Sequence, residues 1–177
     1  MHSGRIGAGM RVAAVLLISF VSVAASTVSS VAAGKPLQYL MTIHMDKGNI
    51  SIQLFPDAAP HTVARVVELV QKKFYNGLTF HRVEPGFVVQ GGDPKGDGTG
   101  GSGIKLKAEF NSKRHVTGAV SMARSSDPDS ADSQFFICLS PQPNLDGRYT
   151  VIGQVISGME RVRKIGKGDV MRQVTVR

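Results

Sequence analysis

At 177 residues, with 42% apolar and 19% charged side chains, the chain has the size and balance of one compact domain and not of a disordered segment. Its formal net charge of +8 comes from scattered cations that never run beyond a pair, which excludes a basic tract built for nucleic acid and leaves a solvated basic face. The one cysteine, Cys138, excludes an internal disulfide.

In chain order, Arg5 and Arg11 precede an uncharged stretch from Val12 to Gly34. A positive start, an apolar middle and a small-residue end predict a secretory signal peptide over residues 1–33, cleaved after Val31-Ala32-Ala33 or, in competition, after Val23-Ala24-Ala25. The alternative is an uncleaved membrane anchor. The stretch is long enough to span, although six Ser or Thr between Ser19 and Ser30 dilute it. Loss of the leader removes two cations and no acid, so +8 becomes +6 on a domain of residues 34–177. The expected location is periplasmic or secreted, with no membrane contact after cleavage.

Tyr39–Met45 and Asn49–Phe55 alternate in period two around Asp46-Lys47-Gly48, which predicts a hairpin. Pro60 opens a helix in which Val63, Val66, Val67, Val70 and Phe74 recur at helical spacing, with Asn76-Gly77 as its stop. Short strand-like runs then alternate with turn signals: "TFHRV", Pro85-Gly86, "FVVQGG", a glycine-rich loop from Gly91 to Gly103, "GAVSMAR", "SQFFICL" and "YTVIGQVI". A short helix over Gly158–Ile165 and a strand over Met171–Val176 finish the chain. Many short strands with two helices predict a mainly β fold, a closed antiparallel barrel with helical caps.

Several motifs fail on their context. "GDGTGG" has the spacing of a dinucleotide loop, but it lacks the preceding parallel strand and the following helix, and Asp93 and Asp97 would repel a pyrophosphate. A calcium-loop reading of Asp93, Lys95 and Asp97 fails because its twelfth position is Ile104. The His residues show no ligand spacing and no G-x-S-x-G elbow occurs, so no metal or cofactor and no serine nucleophile are expected. Cys138, in an apolar strand, reads as a small core residue.

One polar–apolar set remains. Arg82 and Gln90 lie on neighbouring strand segments, Phe87 sits beside their turn, and alternation puts Val88 with Gln90, and Gln134 with Phe136, on common faces. Polar groups on half-buried strands carry a free-energy cost unless they are paired or used. An apolar pocket with a few placed hydrogen-bonding groups is the usual form of a ligand site.

These segments, "FHRVEPGFVVQGGD", "GTGG", "GAVSMA", "SQFFI" and "LDGRYTVIG", in this order from about Tyr39 onward, resemble the cyclophilin family of peptidyl-prolyl cis-trans isomerases, and most of all its exported bacterial forms. The resemblance implies an eight-stranded antiparallel barrel closed by two helices, with a substrate groove on its outer surface. It further implies that Arg82 is catalytic, that Phe87, Val88, Phe136 and Leu145 line a proline pocket, and that Gln90, Ala123, Arg124, Gln134 and Tyr149 hold the peptide. The substrates implied are proline-containing polypeptides, handled by a monomer. Three positions depart from the best-known eukaryotic pattern: Asn144 replaces a Trp, Tyr149 a His and Arg124 an Asn. The first weakens the expected binding of cyclosporin; the last brings a cation to the groove. The rival reading is a binding module or chaperone that holds proline segments without turnover.

Overall fold

The computed structural model describes residues 38–177; the leader, its two cleavage sites and the membrane-anchor alternative lie outside the described residues. Eight strands form one antiparallel sheet: β1 (Leu40–Met45), β2 (Gly48–Leu54), β3 (Arg82–Glu84), β4 (Val88–Gly91), β5 (Ala119–Met122), β6 (Phe135–Cys138), β7 (Val151–Ser157) and β8 (Gln173–Val176). Their spatial order is β3-β4-β6-β5-β7-β2-β1-β8. The edge strands β3 and β8 share no ladder. Instead, the segments just ahead of them meet at an isolated bridge between Thr79 and Val170, flanked by hydrogen bonds from Phe80 N–H to Asp169 O and from Met171 N–H to Leu78 O, both 2.9 Å. Backbone groups near the open edges are thus partly paired, as buried backbone requires.

The β1–β2 hairpin forms as the alternation predicts. Ile43 pairs with Ile50, and Met45 with Gly48, across the Asp46-Lys47 turn. Helix α1 (Pro60–Gln71) begins with Pro at its first turn, where a missing N–H costs nothing, and buries Val63, Val66, Val67, Leu69 and Val70. It stops one turn earlier than the apolar spacing predicts, so Phe74 lies beyond it. Lys73 takes φ +59°, and the pair Lys73 N–H to Val70 O and Phe74 N–H to Leu69 O makes a Schellman ending. A lysine in the left-handed region is uncommon, and that is why the spacing misplaces the end. The second helix, α2 (Met159–Val162), is a single turn, shorter than the predicted Gly158–Ile165.

The main core lies on one face of the sheet. It gathers Ile43, Ile50, Ile52, Val89, Val120, Ile137 and Ile152 from the strands with the α1 valines. The aromatic rings of Tyr75, Phe80 and Phe135 add edge-to-face pairs, at 5.7 Å for Tyr75–Phe135 and 6.4 Å for Phe80–Phe135. A second cluster lies on the opposite face: Val88, Ala119, Phe136, Cys138 and Leu145, with Phe87, Ala123 and Tyr149 packed against it. Strand β6 therefore serves both, sending Phe135 and Ile137 into the main core and Phe136 and Cys138 into the outer cluster.

Candidate active site

The outer cluster floors an open groove of about 290 Å³ lined by Arg82, Phe87, Val88, Gln90, Ala123, Arg124, Phe136, Leu145 and Tyr149. Nine of the ten residues predicted from sequence meet here. The tenth, Gln134, lines an adjoining hollow together with Gln90, Ala123 and Arg124.

Strand register explains the meeting. In the β3–β4 hairpin Arg82 faces Gln90 and Glu84 faces Val88; in the β4–β6 pair Gln90 faces Phe136 and Val88 faces Cys138. The hairpin turns on Glu84-Pro85-Gly86-Phe87, closed by Phe87 N–H to Glu84 O at 3.0 Å, with Gly86 at φ +73°. Proline followed by a positive-φ glycine is the signature of a type II turn, and this one carries Phe87 to the rim.

A polar relay crosses the floor. Arg82 Nη1 donates to Gln90 Oε1 at 3.4 Å, and Gln90 Nε2 to Gln134 Oε1 at 2.9 Å. Gln134 Nε2 in turn donates to the carbonyls of Gly98 and Gly100, at 2.9 and 2.8 Å. Each amide is oriented by its neighbours, so Arg82 is aimed rather than free. Its Nε lies 3.5 Å from Glu84 Oε1, and its side chain stays about half exposed, at 48%.

The acids near the glycine-rich loop are scaffolding. Buried Asp93 accepts the backbone N–H groups of Lys95, Asp97 and Gly98, at 2.8, 3.1 and 2.5 Å. Buried Asp132 accepts the N–H groups of Ser102 and Gly103. Gly100 sits so close to the Asp93 carboxylate that a Cβ there would collide with it. These bonds hold the loop carbonyls where Gln134 needs them.

Behind Phe136 stands a group that the sequence reading missed. His115 is buried and stacks on the Phe136 ring, centroids 6.0 Å apart and planes 17° apart. Its Nδ1 lies 2.9 Å from Asp146 Oδ1 and its Nε2 3.1 Å from Ser121 Oγ, whose hydroxyl donates to Thr150 O at 2.8 Å. The backbone N–H of His115 also reaches Asp146, and these bonds hold that carboxyl below its usual range. Tyr149 meets Phe136 edge-on at 5.7 Å. The spacing of 31 residues between His115 and Asp146 carries no local signal that could have found the pair.

Cys138 is fully buried beneath the groove, and burial pushes its thiol up to about 12, so it supplies no nucleophile. Among the described residues no cluster of His, Cys, Asp or Glu has the geometry to hold a metal ion. The arrangement offers shape, one aimed guanidinium and amide hydrogen bonds.

Residues 40–177 match the family model described as cyclophilin type peptidyl-prolyl cis-trans isomerase/CLD. The chain belongs to this family. Among curated cyclophilin relatives, peptidyl-prolyl cis-trans isomerase B of Bacillus subtilis is 51% identical over 133 residues, covering 74% of this chain and 92% of that protein. A peptidyl-prolyl cis-trans isomerase of Synechococcus elongatus is 46% identical over 136 residues, covering 76% and 93%. Among solved structures, a cyclophilin type isomerase of Cryptosporidium parvum, determined in the presence of the dipeptide Ala-Pro, superposes with a TM-score of 0.72 at 26% identity, covering 78% of this chain and 98% of that one. Within this cyclophilin fold, Asn144 is exposed at the rim beside Leu145, and Tyr149 remains a ring wall.

Proposed function

We propose that the groove seats an X-Pro segment and that Arg82 is the residue that accelerates its cis-trans isomerisation. Rotation about the bond is opposed by amide resonance, with a barrier of about 20 kcal/mol. In the twisted state the proline nitrogen is no longer conjugated and regains a lone pair. A guanidinium directed at that nitrogen, or at the displaced carbonyl oxygen, interacts more strongly with the twisted state than with the planar one, and only such a difference speeds the reaction. The apolar floor of Val88, Phe136 and Leu145 takes the proline ring and excludes water. Gln90 and Gln134, with Ala123 and Arg124, hold the peptide on one side while the other side rotates. The observation that carries this reading is the relay from the Gly98 and Gly100 carbonyls to Arg82, which orients a cation over an apolar pocket.

The substrates are proline-containing segments of folding proteins, as the Ala-Pro dipeptide of the Cryptosporidium structure supports by analogy. The isomerase acts as a monomer outside the cytoplasm after loss of its leader, and N-terminal sequencing of exported protein should read from Gly34 or Ser26; a start at Met1 or His2 would establish a retained anchor. Cyclosporin binds weakly because Asn144 offers little ring surface. The Thr79–Val170 bridge supports reading the curled sheet as a barrel closed along this seam, which would keep the groove rigid. The deciding experiment is a cis-trans exchange assay by NMR on a short Ala-Pro peptide with the mature domain. Acceleration without cofactor is expected, and none at all would leave only a binding module.

A further inference from the structure

Beyond Tyr149 and Leu145 the groove continues into a wide, open hollow of about 740 Å³ that has two arginines, Arg124 and Arg148, and no acid in its lining. The Arg124 guanidinium lies over the Tyr149 ring, 4.6 Å from its centroid. Its Nε and Nη2 donate to Arg148 O at 3.2 and 2.9 Å, and its Nη1 donates to Ser125 O and Ser126 O at 2.8 and 3.2 Å. Four of its five N–H groups are therefore used, all on neutral carbonyls, and one Nη2 N–H is left over. Among the described residues neither Arg124 nor Arg148 has a carboxylate at ion-pair distance, whereas Arg82, at the other end of the groove, has Glu84. The paired and the unpaired arginines thus lie at opposite ends of the groove. Arg124 is also held in place before any ligand arrives, so recruiting it costs little side-chain entropy.

We propose that this arm selects proline segments carrying an acidic side chain on the side of the proline that lies over Tyr149, a preference that rests on the isomerase reading above. The carboxylate would take the spare Nη2 N–H of Arg124 and the exposed charge of Arg148, while a lysine at the same place would be repelled by both. Exposed charge pairs at physiological salt give a modest gain, roughly 1.5- to 5-fold each, so losing two of them in a Glu-to-Gln change should lower kcat/KM by about 2- to 25-fold, and Lys should lower it further. Because the charge is felt before the bond twists, the effect should fall mainly on KM.

The test is NMR exchange on matched Ala-Pro peptides with Glu, Gln or Lys placed in turn on either side of the dipeptide, avoiding a coupled protease with charge preferences of its own. The expected order is Glu above Gln above Lys on one side only, flattening in molar salt. Arg148→Glu, which leaves Arg124 facing an acid, should flatten that order chiefly through a gain for the Lys peptide, which loss of structure cannot produce. Equal rates for the three peptides on both sides, or an order unchanged in Arg148→Glu, would overturn the preference while leaving the isomerase standing. Acceleration of no peptide would sink the isomerase reading and the preference with it.

Discussion

Replacing Arg82 with Ala removes a cation that the fold hardly needs and that the proposed mechanism needs most. The side chain is 48% exposed, and it makes a 3.5 Å approach to half-exposed Glu84, a 3.4 Å hydrogen bond to Gln90 and a loose stack over the Phe87 ring at 6.0 Å. Exposed pairs of this kind contribute about 0.2–1 kcal/mol, and surface replacements usually stay within about 0.5 kcal/mol, so the melting temperature should move by no more than about 2 °C. Activity should behave differently. Removing one aimed donor from a water-excluded site costs roughly two to three decades, and the partial exposure of this one lowers the bound. The expected loss in kcat/KM is about one to three decades, equivalent to roughly 1.4–4 kcal/mol of transition-state stabilisation. Arg82→Lys should restore only part of it, because a compact ammonium lacks the planar fork of donors that Gln90 orients. The measurement pairs NMR exchange rates with a thermal melt for each variant. Near wild-type rates in Arg82→Ala with an unchanged melt would make the arginine a bystander and refute the mechanism.

Phe136→Ala should lose activity and fold together, by about 3–5 kcal/mol in denaturant unfolding, because the ring is buried between His115 and Tyr149. Gln134→Ala should lower kcat several-fold as Arg82 loses its relay and raise KM as an amide facing the peptide is lost; kcat and KM both unchanged would show that the relay is not needed. His81 is buried with neither ring nitrogen partnered among the described residues, and burial, reinforced by the nearby charge of Arg82 and opposed by Asp93 and Asp97, lowers its proton affinity. Its folded pKa lies below the unfolded value of about 6.5, so the unfolded chain takes the proton first and stability should fall as pH drops below about 6.5. In His81→Gln that part of the decline should be lost, and superimposable stability–pH curves for the two proteins would remove His81 from the account.

How much of this was legible in the sequence depends on whether the determinant is local. The β1–β2 hairpin could be read because period-two alternation and a tight turn are both written within a few residues. The facing of Arg82 and Gln90 follows from strand alternation plus one turn, Pro85-Gly86, that sets the register, whereas Phe136 meets Gln90 through a pairing of distant segments that no local pattern announces. The end of α1 could not be read, because a lysine took the backbone conformation that a glycine normally signals. The stack of His115 on Phe136, tied to Asp146, could not be read either, since it joins residues far apart in the chain and each alone looks like any surface polar residue. The edges of the sheet escaped for a similar reason: the segments that meet there do so through a single bridge, without a strand-length pattern on either side.

The four residues of β6 are all buried, two against the main core and two beneath the groove. No position on this strand can vary without consequence for folding, since a large-to-small change in such a place costs about 2–5 kcal/mol against a total stability of about 5–15 kcal/mol. The apolar floor of the groove is therefore constrained by the requirement to fold at all, whatever binds above it. Diversification has to act elsewhere: on the rim at Asn144, on the basic arm at Arg148, and on the glycine-rich loop at Lys95 and Thr99, where exposed side chains can change at little cost. An engineer seeking a new substrate range from this scaffold should randomise those three rims and leave the strand alone, because a library built on β6 would consist mostly of unfolded protein.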